Sequence, residues 1–246
     1  MGGEHRPGSA GRLHATRPAA LRRHAGHHSG GAMIEAVIFD CDGVLVDSEP
    51  TAFALLGEDL ARHGLALDHA TLEAHFLGGT IPGAAVTARR LGADLPADWV
   101  EDFYERLYAR LAEGTPLIPH VEEVVAALDQ AGIPYAVGSN GSDRKMQVTL
   151  GQHPALMARL DGRLFSGQSM DAPKPAPDLY LHAARALGVE PDRCAVIEDS
   201  PTGARAARAA GMTCFGYVPD GSPEALVAEG ARPFSDMREL PALLGL

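Results

Sequence analysis

Residues 36–48 have the sequence AVIFDCDGVLVDS, and this stretch decides which fold the rest of the chain is expected to adopt. An apolar run typical of a buried strand ends in Asp40 and Asp42, and Gly43 follows them. Residues two apart in a strand share a face, and the ligand crevice of a doubly wound sheet opens at its strand ends. A divalent cation would relieve the repulsion between two such carboxylates. The stretch therefore predicts a cation site in which one carboxylate is available as a nucleophile and the other for proton transfer.

The same Asp-x-Asp-Gly motif also opens calcium-binding loops and simple acidic turns. An EF-hand loop needs further oxygen ligands and a closing glutamate, whereas residues 44–46 are apolar here. A simple acidic turn after a strand stays open as an alternative on this motif alone.

Composition limits the classes of function. The chain has 246 residues, of which 46% are hydrophobic, and no apolar run approaches the roughly 20 residues needed to cross a bilayer. The net charge of -11 argues against binding to nucleic acids or anionic membranes. The three cysteines have no paired spacing, which fits a reducing compartment. We therefore expect a cytoplasmic protein that binds neither nucleic acids nor membranes. Our further expectations are a monomer or a weak homodimer and a small-molecule partner.

Residues 1–32 differ from the rest of the chain. They contain five arginines, five histidines and a single acidic residue, Glu4. The segment lacks the apolar region of a secretory signal, and Met33 directly precedes the first predicted strand. We expect a disordered tail or a start codon assigned too far upstream, with an organelle presequence as a weaker alternative.

Periodicity divides the remaining chain into two parts. Residues 50–116 have helical spacing throughout, including an apolar stripe at Trp99, Phe103 and Leu107. From residue 119 helices alternate with strands predicted at 133–138, 164–166, 194–197 and 213–218. This order predicts an α/β fold with a doubly wound, mostly parallel sheet formed by residues 33–49 and 117–246. Residues 50–116 are then a small helical domain inserted after the first strand.

Two later segments place chemically useful groups near predicted strand ends. Ser139 and Asn140 directly follow the predicted strand at 133–138, where a hydroxyl and backbone amides suit the binding of phosphate oxygens. The alternative is that Ser139 is an ordinary N-cap of the next helix. Lys174 lies between two prolines and is one of only two lysines, against 19 arginines. A compact ammonium held by a stiff loop suits the space between a carboxylate and a phosphate, although a surface lysine is the alternative.

The strand at 194–197 ends in Glu198 and Asp199. Acidic side chains at the tip of an apolar strand suit metal ligation, with either Asp199 or Glu198 joining Asp40. The following Ser200-Pro201 is explained by an N-cap and a proline at the first helical position.

Together these motifs resemble the haloacid dehalogenase-like hydrolases. The resemblance covers residues 36–203 and includes all four family motifs in order. It implies that residues 50–116 are the helical cap of this family and that the reaction is Mg²⁺-dependent hydrolysis of a phosphate ester. Asp40 would be the nucleophile that forms an aspartyl-phosphate, and Asp42 the acid and base. The resemblance also implies that Mg²⁺ is held by Asp40, the Asp42 carbonyl and Asp199, with Glu198 nearby. It implies that the oxygens of the phosphoryl group are held by Ser139, Asn140 and Lys174.

Finer similarities point to the substrate. The segments 39–43, 139–146 and 164–167 look like those of bacterial sugar-phosphate phosphatases of the 6-phosphogluconate phosphatase type. The cap segment 77–80 lacks the arginine that β-phosphoglucomutases have there, so we expect hydrolysis rather than a mutase reaction. Gly78 and Gly79 are expected to bring a loop to the substrate. A catalytically silent binding protein on the same scaffold is the alternative of another class, which the intact motifs disfavour.

Overall fold

One parallel sheet forms the centre of the molecule in the computed structural model, which describes residues 1–2, 33–76 and 80–246. Its strand order is β3-β2-β1-β4-β5-β6, and every neighbouring pair is parallel. The strands are β1 (Ala36–Phe39), β2 (Tyr135–Ser139), β3 (Leu164–Ser166), β4 (Cys194–Glu198), β5 (Thr213–Tyr217) and β6 (Arg232–Phe234). The predicted α/β class with a parallel sheet is confirmed.

Helices account for most of the remaining described residues. The first four, which follow β1 directly, are α1 (Glu49–Arg62), α2 (His69–Phe76), α3 (Ile81–Arg90) and α4 (Trp99–Glu113). The others are α5 (Val121–Ala131), α6 (Asp143–Leu150), α7 (Pro154–Arg159), α8 (Asp178–Leu187), α9 (Pro201–Ala209), α10 (Glu224–Ala228) and α11 (Leu240–Leu244). In the parts of the chain that the structure describes, no helix is both long and apolar enough to span a membrane.

Helices cover both faces of the sheet. Since successive residues of β1 point to opposite faces, alternate side chains of this strand contact different helices. Val37 and Phe39 belong to a core that includes side chains of α5 and α6, such as Leu128 and Met146. Ala36 and Ile38 belong to a second core, on the other face, that side chains of α8 and α9 complete. β1 therefore lies in the middle of the molecule, with its end held by packing on two sides.

Helices α1–α4 have an apolar cluster of their own, formed by buried residues between Leu55 and Leu111. Trp99 and Phe103, from the predicted stripe, are fully buried in it. The whole of Ala32–Leu246 is one compact unit by its internal contacts, so the boundaries of a separate cap at residues 50 and 116 stay a prediction.

The two connections between the sheet and helices α1–α4 run side by side. Val46 forms an antiparallel bridge with Leu117, and the Asp47 amide donates a hydrogen bond of 2.9 Å to the Pro116 carbonyl. This pairing places the start of α1 and the end of α4 next to the carboxyl end of β1.

Several details differ from the prediction. The second strand begins at Tyr135 rather than at 133, because the Ile133 amide instead closes α5 by donating to the Leu128 carbonyl. β6 was not predicted, since its Arg232 and Pro233 are exposed and proline is tolerated on an edge strand. The predicted tail at residues 1–32, apart from residues 1–2, and the predicted substrate contact Gly79 lie outside the described residues.

Candidate active site

A cavity of about 920 Å³ opens at the carboxyl ends of the strands, and we call it the strand-end cavity. Six predicted residues line it: Asp40, Asp42, Ser139, Asn140, Lys174 and Asp199. Helices α1–α4 supply part of its wall, including Tyr104 and Tyr108. The structure thus brings together residues that are far apart in the chain.

Lys174 links two of the strand ends. Its Nζ atom lies 2.6 Å from Asp40 Oδ1 and 2.6 Å from Glu198 Oε1, and its side chain is only 3% exposed. Burial alone would lower the pKa of this ammonium, but the Asp40 and Glu198 carboxylates raise it above its ordinary value. Asn140 fixes the loop, because its side chain accepts a hydrogen bond of 2.7 Å from the Lys174 amide and donates one of 3.2 Å to the Lys174 carbonyl. The lysine is therefore held charged between two carboxylates.

Glu198 is fully buried beneath the strand-end cavity, and both of its carboxylate oxygens are engaged. Oε1 accepts hydrogen bonds from Lys174 and from the Tyr180 hydroxyl, each at 2.6 Å, while Oε2 accepts from the amide and the hydroxyl of Ser200. Burial disfavours its charged form, yet Lys174 and these hydrogen bonds lower the pKa of Glu198. Tyr180 was not singled out from the sequence, because an aromatic residue on an apolar helix face is typical of core packing.

Asp40, Glu198 and Asp199 each place a carboxylate oxygen within 4.8 Å of the others. Burial raises the pKa of Asp40 to about 7; Glu198 and Asp42 add to this shift, and Lys174 opposes it. Burial, together with the charges of Asp40 and Glu198, also raises the pKa of Asp199 well above its usual range. One lysine does not compensate three close carboxylates, and oxygen donors of this kind suit a hard divalent cation. The residues present therefore fit a site for a divalent cation.

Gly43 leaves room for the Asp199 carboxylate. A Cβ atom at this position would lie 1.9 Å from Asp199 Oδ2, and the glycine has a φ of +75°. The Gly43 amide donates to the Val46 carbonyl in the turn that follows β1. The glycine of the first motif is thus required both by backbone conformation and by close approach.

The Asp42 carboxylate is held by two neighbours. Asp42 Oδ1 accepts a hydrogen bond of 2.5 Å from the Ser48 hydroxyl and lies 2.8 Å from Lys145 Nζ. Sequence reasoning did not assign Lys145 to the site, although it is the second of the two lysines in the chain. That scarcity was the available signal, since both lysines contact an aspartate of the first motif.

The two serines interpreted as possible caps behave differently. Ser139 is buried and its hydroxyl accepts from the Gly141 amide, whereas Ser142 is the residue that caps α6. The N-cap alternative for Ser139 is therefore wrong. Ser200 caps α9 as expected, with Pro201 at the start of the helix and a hydrogen bond from the Gly203 amide.

Comparison with known proteins identifies relatives with the same fold. Residues 34–211 match the model of the haloacid dehalogenase-like hydrolases. The 6-phosphogluconate phosphatase of Escherichia coli K12 is 32% identical over 211 residues, which cover 85% of this chain and 94% of that protein. Hexitol phosphatase A of the same organism is 31% identical over 174 residues, covering 71% and 78%. A hydrolase of this family from Deinococcus radiodurans, solved with bound phosphate and sodium, superposes with a TM-score of 0.73 at 35% identity and covers 87% of this chain and 96% of that one.

Proposed function

The chain belongs to the haloacid dehalogenase-like hydrolases, and from this premise we propose that it is a Mg²⁺-dependent phosphatase of small phosphorylated sugars, sugar acids or polyols. Its membership and the phosphatases among its relatives make it a phosphoric monoester hydrolase. The observation that carries the proposal is the contact of Lys174 with both Asp40 and Glu198, which joins three distant motifs at one end of the sheet.

In the proposed first step, an oxygen of Asp40 attacks phosphorus and the bond from phosphorus to the ester oxygen breaks. Asp42 gives its proton to the departing alkoxide, so that a neutral alcohol leaves. In the second step Asp42 takes a proton from water as the water oxygen attacks phosphorus, the bond between phosphorus and the Asp40 oxygen breaks, and inorganic phosphate is released with the Asp40 carboxylate restored. Dividing the reaction in this way replaces one difficult step by two easier ones.

The remaining residues bind charge rather than form bonds. Ser139, the Asn140 amide and Lys174 would hold the oxygens of the transferring phosphoryl group, since such transfer depends on positioning and charge stabilisation. Asp40, Asp199 and the Asp42 carbonyl would hold Mg²⁺, which neutralises charge on the phosphoryl oxygens when bound. Because both oxygens of Glu198 are engaged, we assign Glu198 to orienting Lys174 beside the metal ligands.

The proposal extends to the setting in which the enzyme works. We expect a cytoplasmic monomer or weak homodimer that binds neither nucleic acids nor membranes. The net charge of -11 supports this, as do three cysteines that are all buried free thiols.

Phosphate release from a panel of sugar, sugar-acid and polyol phosphates tests the proposal. We expect turnover that EDTA abolishes and Mg²⁺ restores. Asp40→Asn should lower kcat by at least about 1,000-fold, because the nucleophile is lost. The control Asp192→Asn removes an exposed carboxylate at the opposite end of β4 and should leave kcat unchanged. Turnover by Asp40→Asn at the wild-type rate would contradict the mechanism, and isomerised product without free phosphate would indicate a mutase.

A further inference from the structure

Lys145 is a cation in the strand-end cavity that the proposed mechanism does not use. It projects from α6, its side chain is 18% exposed, and its Nζ atom lies 2.8 Å from Asp42 Oδ1. The Ser48 hydroxyl donates to the same carboxylate oxygen. Within the described residues, Asp42 Oδ2 accepts no hydrogen bond, and it faces Gly141, where a Cβ atom would lie 3.5 Å away. One oxygen of Asp42 is thus anchored, and the other is open toward the cavity.

Contacts with α4 fix the helix that bears Lys145. The Ser142 hydroxyl at its start lies 2.8 Å from the Tyr108 hydroxyl, and Arg144 forms two hydrogen bonds with Glu105. Beyond its end, Gln152 donates a hydrogen bond of 2.9 Å to the Leu111 carbonyl. Since α6 is tied to α4 at both ends, the Lys145 side chain is anchored to a rigid support.

We propose that Lys145 is a positioning residue that holds Asp42 Oδ1, so that Asp42 Oδ2 is directed at the oxygen of the leaving group. The inference rests on the proposed function, because it assigns Asp42 to proton transfer. A proton donor is effective only within hydrogen-bond reach of the atom that it serves, so a carboxylate free to rotate loses part of its effect.

The proposal makes a specific claim about leaving groups. A sugar alkoxide needs a proton as it departs, whereas p-nitrophenolate is a stable anion that needs none. The parameter kcat/KM reports events up to departure of the leaving group and is insensitive to the later hydrolysis of the aspartyl-phosphate. Lys145→Met should therefore lower kcat/KM for a hexitol phosphate by about 100-fold. The value for p-nitrophenyl phosphate should change by less than about threefold, since acid catalysis contributes little there.

Two comparisons make the test specific. In an Asp42→Asn background, adding Lys145→Met should change kcat/KM for the hexitol phosphate by less than about threefold, because residues that act as a unit are not additive. Arg159→Met, which removes a surface cation outside the cavity, should leave the ratio of the two substrates unchanged.

The outcomes distinguish failure of the positioning role of Lys145 from failure of the proposed phosphatase function. If Lys145→Met lowered kcat/KM equally for both substrates, Lys145 would serve stability, and the positioning role would be overturned. If the variant raised KM and left kcat unchanged, Lys145 would serve substrate binding, and the positioning role would again be overturned. Additive losses with Asp42→Asn would do the same. If the wild-type enzyme released phosphate from neither substrate, the proposed function itself would fail.

Discussion

At the residue scale, the site depends on a few positions where no larger side chain fits. Gly43 has its backbone at a φ of +75° and lies against Asp199, while Gly203 lies so close to Glu198 that a Cβ atom would be 1.7 Å from Oε1. These glycines let α9 and the turn after β1 approach the buried carboxylates. The positions of the Asp199 and Glu198 carboxylates therefore require that residues 43 and 203 have no side chain.

We predict that Gly43→Ala weakens metal binding beyond its effect on stability. Its matched control is Gly211→Ala, because Gly211 has the same φ of +75° but no atom within 4 Å of the new Cβ. Gly211→Ala should lower the free energy of unfolding by about 1 kcal/mol, the cost of the backbone conformation alone. Gly43→Ala should cost more and should also reduce the rise in melting temperature that Mg²⁺ produces, because Asp199 is displaced. Identical losses of stability and identical responses to Mg²⁺ would refute the prediction.

Most of the residues that could be predicted directly follow a strand in the sequence, whereas Lys174, which lies in a loop, was predicted from its flanking prolines. The apolar run that precedes each of Asp40, Ser139 and Asp199 predicts a buried strand, and this alone predicts that the residue lies at the carboxyl end of the sheet. Lys145 and Tyr180 could not be found in this way, because each lies on a helix and meets its carboxylate only through the packing of α6 or α8. Their roles depend on tertiary distance, which periodicity does not contain.

At the element scale, helices α1–α4 are joined by a buried charge. Asp59 of α1 is 2% exposed, and Trp99 Nε1 of α4 donates to it at 2.6 Å. Arg62 and Arg106 also contact its carboxylate, at 2.7 Å and 3.1 Å. A polar group in this position links the first and last helices of the cluster and fixes how they cross.

We predict that Asp59→Ala lowers the free energy of unfolding by about 1–3 kcal/mol, because it leaves the buried Trp99 Nε1 donor without a partner. Denaturation by urea measures this loss. The control Glu101→Ala removes an exposed carboxylate from α4 and should cost less than about 1 kcal/mol. Equal costs for both variants would show that the buried network contributes nothing beyond surface charge.

Elements with strong periodicity were predicted to within a residue or two, and three short helices were missed. The strand at 164–166 and the apolar stripe of α4 agree with the structure. Helices α7, α10 and α11 were not predicted, because five or six residues give too little periodic signal. These short helices are stabilised by the surfaces against which they pack.

At the scale of the whole molecule, the charge around the strand-end cavity bears on the substrate. Among the described residues its lining contains two lysines and six carboxylates: Asp40, Asp42, Asp47, Glu49, Asp199 and Asp220. Lys174 is already shared by Asp40 and Glu198, and Lys145 is paired with Asp42. A second negative charge on the substrate therefore meets an unfavourable potential.

We predict that the enzyme prefers a neutral sugar chain. Sorbitol 6-phosphate and 6-phosphogluconate are a matched pair, since they have the same number of carbon atoms and differ in charge at the far end. We expect kcat/KM to be higher for sorbitol 6-phosphate by roughly tenfold, which corresponds to about 1.4 kcal/mol. The preference should shrink as salt is added, because screening weakens the repulsion. A preference for 6-phosphogluconate at low salt would contradict this account.

The position of β1 at the centre of the sheet sets the order in which a nascent chain completes the enzyme. Ile38 pairs with Ala136 on one side and with Val196 on the other, so this strand leaves the ribosome long before either partner is synthesised. Helices α1–α4 are synthesised during that interval, and most of their buried apolar side chains contact one another. Because Lys174 and Glu198 are synthesised late, the active site can be completed only after most of the polypeptide has been translated. Until then the first strand is an unpaired apolar edge, which is a general aggregation hazard.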